Sequence, residues 1–340
     1  MNLNYNFIVK LTLSCPGNCE CCTNRQNSFL NKKETNKPFD IHVFEKICQN
    51  IIKLNGSYVC LSGGEPTIVP EIDEYIKIAH DYALSVRINT NGWGITEEKL
   101  ERWLKNGLDQ VVLSVYSLEP YTMQLTRGNP EIYKRTMQAV QILKNAKQSQ
   151  KFMFIMQTII MRYNYRELPD LLCFAIDNSC DRFWPSYLED AINLPNIRMT
   201  PELVQEFRHE IVPRMKQVIN KKIVNADKAK ELNEVIEHYY ENGYDGYIYH
   251  KQGECCLWSG SHFTFYPNGT IDPCPGHEYF FSPYQFHIDY KNIDEFMTLE
   301  SLKKNEGKVF DYCMYCPQGK HQEININNKI IHEHANREEL

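Results

Sequence analysis

The chain has 340 residues, of which 42% are hydrophobic and 24% charged, proportions that exclude a disordered or fibrous protein and allow a large buried core. A formal charge of −6 argues against an electrostatic nucleic-acid binder, and no run of about 18 uncharged apolar residues is present to span a bilayer. The N-terminus lacks a basic start and Lys10 interrupts the apolar run behind it, so no signal peptide is expected and the expected location is cytoplasmic.

In chain order, the first half alternates strand and helix patterns. Phe7 to Leu13 reads as a strand, followed by a Cys/Gly/Asn loop and a helix near 41–54 with Phe44, Ile47, Ile51 and Leu54 on one face. Ser57 to Leu61 is a second strand, ending at Gly63-Gly64, with a helix near 71–83. A third strand, Ser85 to Ile88, ends in Asn89-Thr90-Asn91-Gly92; Thr96 then caps a helix that Gly107 ends. Val111 to Val115, Phe152 to Ile160 and Arg182 to Trp184 supply three more strands, with helices near 131–147 and 166–177. Six βα units in succession demand a parallel sheet with right-handed crossovers, open or closed into a barrel. In either case the chemistry belongs at the C-terminal ends of the strands, which is where the cysteine loop, Gly63-Gly64-Glu65-Pro66 and Asn89-Thr90-Asn91 fall.

Beyond residue 196 the pattern changes. Leu203, Phe207, Ile211 and Met215, then Leu232, Val235, Ile236 and Tyr239, mark two helices of a connecting or lid segment. Phe263 to Tyr266 resembles a strand before a turn at Pro267-Asn268-Gly269, and from 321 the chain is polar.

Thirteen cysteines, an odd count in a chain with no export signal, argue against a disulfide framework. Nine fall into three groups: Cys15/Cys19/Cys21/Cys22, Cys255/Cys256/Cys274 and Cys313/Cys316. Cys48, Cys60, Cys173 and Cys180 stand alone and read as small buried hydrophobes. Cys15, Cys19 and Cys22 form C-x3-C-x2-C. Three thiolates in one loop can hold a face of an iron–sulfur cube while leaving one iron open, or serve a zinc site that takes a fourth ligand from elsewhere. Cys21 reads as a bystander.

This triple after the first strand, with Gly63-Gly64-Glu65-Pro66 after the second, resembles the radical S-adenosylmethionine (SAM) superfamily over roughly residues 5–190. The resemblance implies a partial (β/α)6 barrel in which Cys15, Cys19 and Cys22 bind a 4Fe–4S cluster whose open iron is chelated by S-adenosylmethionine. Reduction would cleave that cofactor to methionine and a 5′-deoxyadenosyl radical, which abstracts a hydrogen atom from an unactivated C–H bond of the substrate. Gly63, Gly64 and Pro66 would shape the turn against the cofactor's methionine, with Glu65 holding either this loop or the cofactor's ammonium group. Asn89, Thr90 and Ser114 fall where ribose contacts arise. An external donor such as flavodoxin or ferredoxin would supply the electron.

Cys256 and Cys274 followed by Cys313 and Cys316 resemble the opening of a SPASM/twitch domain, which implies a second, auxiliary 4Fe–4S cluster; a zinc ribbon is the other reading of four such thiolates. Either Cys255 or Cys256 would be the first ligand, with Cys256 preferred. No cysteine follows Cys316, so the one-cluster twitch form is expected, as a small C-terminal α+β domain. The expected division is 1–195 for the barrel, 196–250 for a helical connector, 251–320 for the auxiliary domain and 321–340 for a polar tail.

Relatives with such a domain mostly modify peptides, whereas the chain opens directly on the barrel's first strand without a segment to grip a leader. The expected activity is an oxidoreductase or maturase that oxidises or cross-links a peptide, with the auxiliary cluster accepting an electron. The alternative is a dehydrogenase or epimerase of a sugar, cyclitol or other small polar metabolite, and more remotely a non-enzymatic iron–sulfur or zinc protein. An epimerase needs a hydrogen donor, for which Cys255 and Cys180 are the candidates.

Overall fold

A computed structural model of the chain describes residues 6–26, 32–188, 194, 196–237, 262–272, 286–287, 289–298 and 324–325. Six parallel strands stand side by side in sequence order: β1 (Asn6–Thr12), β2 (Tyr58–Gly63), β3 (Ser85–Thr90), β4 (Leu108–Ser114), β5 (Met153–Ile160) and β6 (Arg182–Tyr187). The crossover helices are α1 (Ile41–Lys53), α2 (Ile72–Asp81), α3 (Glu97–Lys105), α4 (Pro120–Arg127) with α5 (Glu131–Ala146), and α6 (Leu168–Asp177). β1 and β6 do not pair with each other. The far edge of β1 is taken by β7 (His262–Phe265) and that of β6 by β10 (Ile324–Asn325), so the (β/α)6 unit is a partial barrel.

Local chemistry explains these elements. Asp40 caps α1, its Oδ1 accepting from the backbone N–H groups of His42 and Val43 at 2.9 and 3.0 Å. Thr96 caps α3 in the same way, accepting from Lys99. Alternation along each strand sends one set of residues to the helices and the other to the lumen. Val111 and Leu113 join the main core, whereas Val112 with Met153 and Ile155 forms a small apolar plug inside the barrel, against Trp184. Nearer the C-terminal ends the inward residues become polar, as with Ser114 and Gln157, and there the lumen opens.

Helix α4 has no counterpart in the sequence reading, although Pro120 at its first turn and Gly128 (φ +67°) just after its end bracket it plainly. The expected connector helices are α7 (Pro201–Glu206), a π-type turn over Phe207–Ile211, α8 (Val212–Lys222) and α9 (Ala226–Ile236). Pro213 has no N–H to offer the carbonyl of His209, and the wider turn accommodates that loss. Phe207, Ile211, Met215 and Leu232 are buried in the main core, so these helices pack onto the barrel.

The expected strand at 263–266 is β7, followed by β8 (Thr270–Asp272) and β9 (Phe286–His287), antiparallel to one another. Gly269 adopts φ +86° in the turn. These strands continue the barrel's own sheet: Phe7 stacks on Phe263 and Phe265, with centroids 6.0 and 6.4 Å apart. β10 lies in the segment read as a polar tail. Cys255, Cys256, Cys274, Cys313 and Cys316 lie outside the described residues, and with them the auxiliary-cluster expectation. No described helix is long and apolar enough to cross a membrane.

Candidate functional site

The C-terminal ends of all six parallel strands open onto one cavity of about 850 Å³. Cys15, Cys19 and Cys22 line it from the loop after β1, and Gly63 and Gly64 from the end of β2. Asn89, Thr90 and Ser114 line it from β3 and β4, as Gln157, Trp184 and Ser186 do from β5 and β6.

The cysteine loop is anchored on both flanks. On one side, Leu13 N–H bonds the carbonyl of Thr35, and Thr12 Oγ1 donates to the carbonyl of Asn36. On the other, the loop docks on the α4–α5 corner: Asn18 N–H reaches the carbonyl of Arg127 at 2.8 Å, and Asn129 Nδ2 reaches that of Pro16 at 2.8 Å. A Cβ on Gly128 would meet the Asn18 carbonyl oxygen at 2.6 Å, so the helix end and the loop need that glycine for their close approach. The Cys15 sulfur accepts from Gly17 N–H at 3.3 Å and Asn91 Nδ2 at 3.5 Å. Cys21 packs in an apolar cluster with Tyr116, Met123 and Ile132, and burial pushes its thiol pKa well up, as it does for Cys15 and Cys22.

Gly63 and Gly64 have a reason internal to the chain. Gly64 N–H extends the β1–β2 ladder to the carbonyl of Thr12 at 2.7 Å, and Glu65 N–H bonds that of Ser14 at 2.9 Å. A Cβ on Gly63 would lie 2.1 Å from the Thr12 oxygen, and one on Gly64 2.3 Å from that of Ser14. The two glycines thus seat the cysteine loop directly on β2. Pro66 begins a short 3₁₀ turn, Pro66–Ile68.

Of the two roles open to Glu65, the loop contacts are the ones the structure displays. The side chain is fully buried. Its Oε1 accepts from Thr67 N–H, Thr67 Oγ1 and Thr90 Oγ1 at 3.1, 2.6 and 2.6 Å, and its Oε2 from Asn91 N–H at 2.7 Å. Burial raises its pKa while these four donors oppose that shift. Glu65 therefore ties the end of β2 to the end of β3, and through Asn91 it positions the group that touches Cys15.

The residue that sequence reasoning missed is Arg127. Its guanidinium is buried, lies 4.1 Å from the Tyr116 ring centroid, and donates to the Cys19 sulfur at 3.6 Å and the Ser114 carbonyl at 3.3 Å. Burial alone would lower its pKa, but Cys19, Tyr116 and Cys21 outweigh that and hold it above the ordinary arginine value.

Cys180 does not join the site. It precedes β6, with its N–H on the Ala175 carbonyl, and Asp181 beside it bonds the backbone of Phe154 near the start of β5. That is the N-terminal edge of the sheet, opposite the cavity. At 1% exposure Cys180 is a core residue, too far from the cavity to serve as the expected hydrogen donor.

The donor set fits a cluster better than a lone ion. Among the described residues no three Cys, His, Asp or Glu side chains converge closely enough to hold a single metal ion. A cubane takes one thiolate on each of three irons, so its ligands stand apart around one loop. Beside them, Asn89 Oδ1, Arg127 Nε and Ser186 Oγ are buried without a hydrogen-bond partner, as a site awaiting a polar ligand would be.

Residues 9–175 match the family model of the radical SAM superfamily. Over those residues the chain is similar to the radical SAM superfamily. Among solved structures, Streptococcus suis SuiB bound to precursor peptide SuiA is similar at 17% identity and a TM-score of 0.63, over 93% of this chain and 72% of that one. Native anSMEcpe with bound AdoMet and Kp18Cys peptide is similar at 14% identity and a TM-score of 0.63, over 92% and 86%. At such identities the likeness is one of fold. The matched residues run from β1 into α6, so the cysteine loop, the Gly63–Pro66 turn, Asn89–Asn91 and Ser114 all lie within them.

Proposed function

We propose that Cys15, Cys19 and Cys22 hold a 4Fe–4S cluster, that S-adenosylmethionine occupies the adjoining cavity, and that the enzyme oxidises or cross-links a peptide. The observation that carries this reading is the meeting of the three cysteines with the ends of β2, β3 and β4 around one cavity. When bound, cluster and cofactor supply one electron and a carbon radical able to take hydrogen from an unactivated C–H bond. The chain's own residues do the rest. Gly63 and Gly64 set the height of the cysteine loop over β2, and Glu65 fixes the β3 end that carries Asn89, Thr90 and Asn91. Asn89 Oδ1 and Ser186 Oγ offer unfilled hydrogen-bonding capacity to polar groups in the cavity. Tyr116, Trp93 and Trp184 wall it with aromatic surface that limits water.

A peptide substrate is supported by the fold shared with SuiB bound to SuiA and with anSMEcpe bound to a peptide. We assign a second 4Fe–4S cluster to Cys256, Cys274, Cys313 and Cys316, with Cys255 as the neighbouring free thiol, and give it the role of electron acceptor. An external flavodoxin- or ferredoxin-type protein provides the first electron. Anaerobic reconstitution with iron and sulfide should give about eight irons per chain, two cubanes of four. Replacing Cys313 and Cys316 by Ala should remove about half of them; an unchanged iron content in that variant would overturn the second cluster.

A further inference from the structure

Lys10 is a buried cation on β1 that the chemistry proposed above leaves unused. Phe7, Val9 and Leu11 join the core beneath the helices, so Lys10 faces the lumen, with 6% of its surface exposed. Burying an ammonium group is costly unless its surroundings compensate it. Its Nζ donates to Asn24 Oδ1 at 3.4 Å, and Asn24 Nδ2 donates to the Gly63 carbonyl at 3.0 Å. The Tyr266 ring lies 5.8 Å from Nζ, itself fixed by its hydroxyl on Asp272 Oδ2 at 2.9 Å. Asn24 follows Cys22 by two positions, so this clamp holds the Lys10 charge under the end of the cysteine loop. Arg127 contributes a second cation on the Cys19 side. None of the described residues lining the cavity is an Asp or Glu, and Glu65 behind it is engaged by four donors. Lys10 itself does not line the cavity, and its contacts are to Asn24 and Tyr266.

We propose that Lys10 is a positioning residue for electron entry, whose clamped ammonium group favours the reduced state of the cluster at Cys15, Cys19 and Cys22 and so raises its midpoint potential. This rests on the cluster assignment made above. Reduction adds one electron from an external one-electron donor, breaks no bond, and makes the cluster–thiolate unit one charge more negative. A fixed positive charge in a low-dielectric surround stabilises that more negative state. Lysine suits the task as a compact point charge that needs no planar partner.

The test is a potentiometric titration of the full-length, anaerobically reconstituted protein, followed by the paramagnetic signal of the reduced cluster and run without S-adenosylmethionine. The relevant signal is the one absent from a variant with Cys15, Cys19 and Cys22 all replaced by Ala. In Lys10→Met the ratio of reduced to oxidised cluster at the wild-type midpoint should fall about tenfold, equivalent to about 59 mV in a one-electron couple. Lys10→Gln, which keeps a donor toward Asn24, should fall similarly, while Lys10→Arg should stay within about twofold, all with wild-type iron content. An unchanged potential in iron-loaded Lys10→Met or Lys10→Gln overturns the proposal. Absence of the signal from the wild-type protein would instead overturn the cluster assignment on which it stands.

Discussion

The guanidinium of Arg127 meets the Cys19 sulfur at 3.6 Å, across 108 positions of sequence. The contact makes the end of α4 a support for the cysteine loop, because the backbone carbonyl of Arg127 also receives the N–H of Asn18. Arg127→Met removes the donors to Cys19 and to the Ser114 carbonyl together. Loss of such a supporting partner weakens metal sites by roughly 10–100-fold. We predict that this variant folds but sheds iron at a correspondingly lower chelator concentration, with Arg127→Lys in between. Iron content measured against chelator is the check, and wild-type retention in Arg127→Met would show that the contact is incidental.

Glu65 supports the site from below. Glu65→Gln places an amide NH2 among groups that are all donors, leaving at least one of them without an acceptor. An unmet buried polar group costs roughly 1–3 kcal/mol. Thermal unfolding should register that loss in Glu65→Gln, and a loss as well in Thr90→Val, which removes both a donor to Glu65 and the acceptor of the Gly92 N–H.

Gly64→Ala tests the seating of the cysteine loop on β2. The new Cβ would fall 2.3 Å from the Ser14 carbonyl oxygen, a backbone atom that cannot swing aside. Overpacking of this kind costs typically about 1–3 kcal/mol, and a rigid neighbour puts it at the upper end. The expected result is a lower melting temperature and faster alkylation of Cys15 and Cys22 in the metal-free protein, as the loop lifts from β2. Wild-type values for both would contradict the packing described.

Cys180→Ala should leave turnover and product unchanged, since Cys180 lies at the opposite edge of the sheet from the cavity. Its cost is to the core alone. With the reaction run in deuterated water, the solvent-deuterium content of the product should not change in this variant; a change would return Cys180 to the chemistry.

Much of the barrel was legible because the first three strands end in chemical markers and the longer helices show a buried face. Phe44, Ile47 and Ile51 repeat at helical spacing and are all fully buried in α1. What escaped the sequence was contact made at long range. Arg127 gave no signal because its partner Cys19 lies more than a hundred positions away. The contacts of Glu65 with Thr67, Thr90 and Asn91 join two strand ends that are about 25 positions apart in sequence. Nothing near Cys180 in the sequence marks its edge, because a strand's direction decides which neighbour faces the cavity, and a thiol just before a parallel strand lies at its N-terminal end. β10 was hidden by its brevity, two residues in a mostly polar stretch where Ile324 and Ile326 alternate with Asn325 and Asn327.

The central claim is that Cys15, Cys19 and Cys22 hold the cluster that cleaves S-adenosylmethionine. Its most direct measurement is 5′-deoxyadenosine formed by the anaerobically reconstituted protein given reductant and S-adenosylmethionine. We predict formation by the wild-type chain and none when the three cysteines are replaced together by Ala, while about four irons remain bound elsewhere. An iron-loaded wild-type protein that yields no 5′-deoxyadenosine, or a triple variant that still yields it, would contradict the claim.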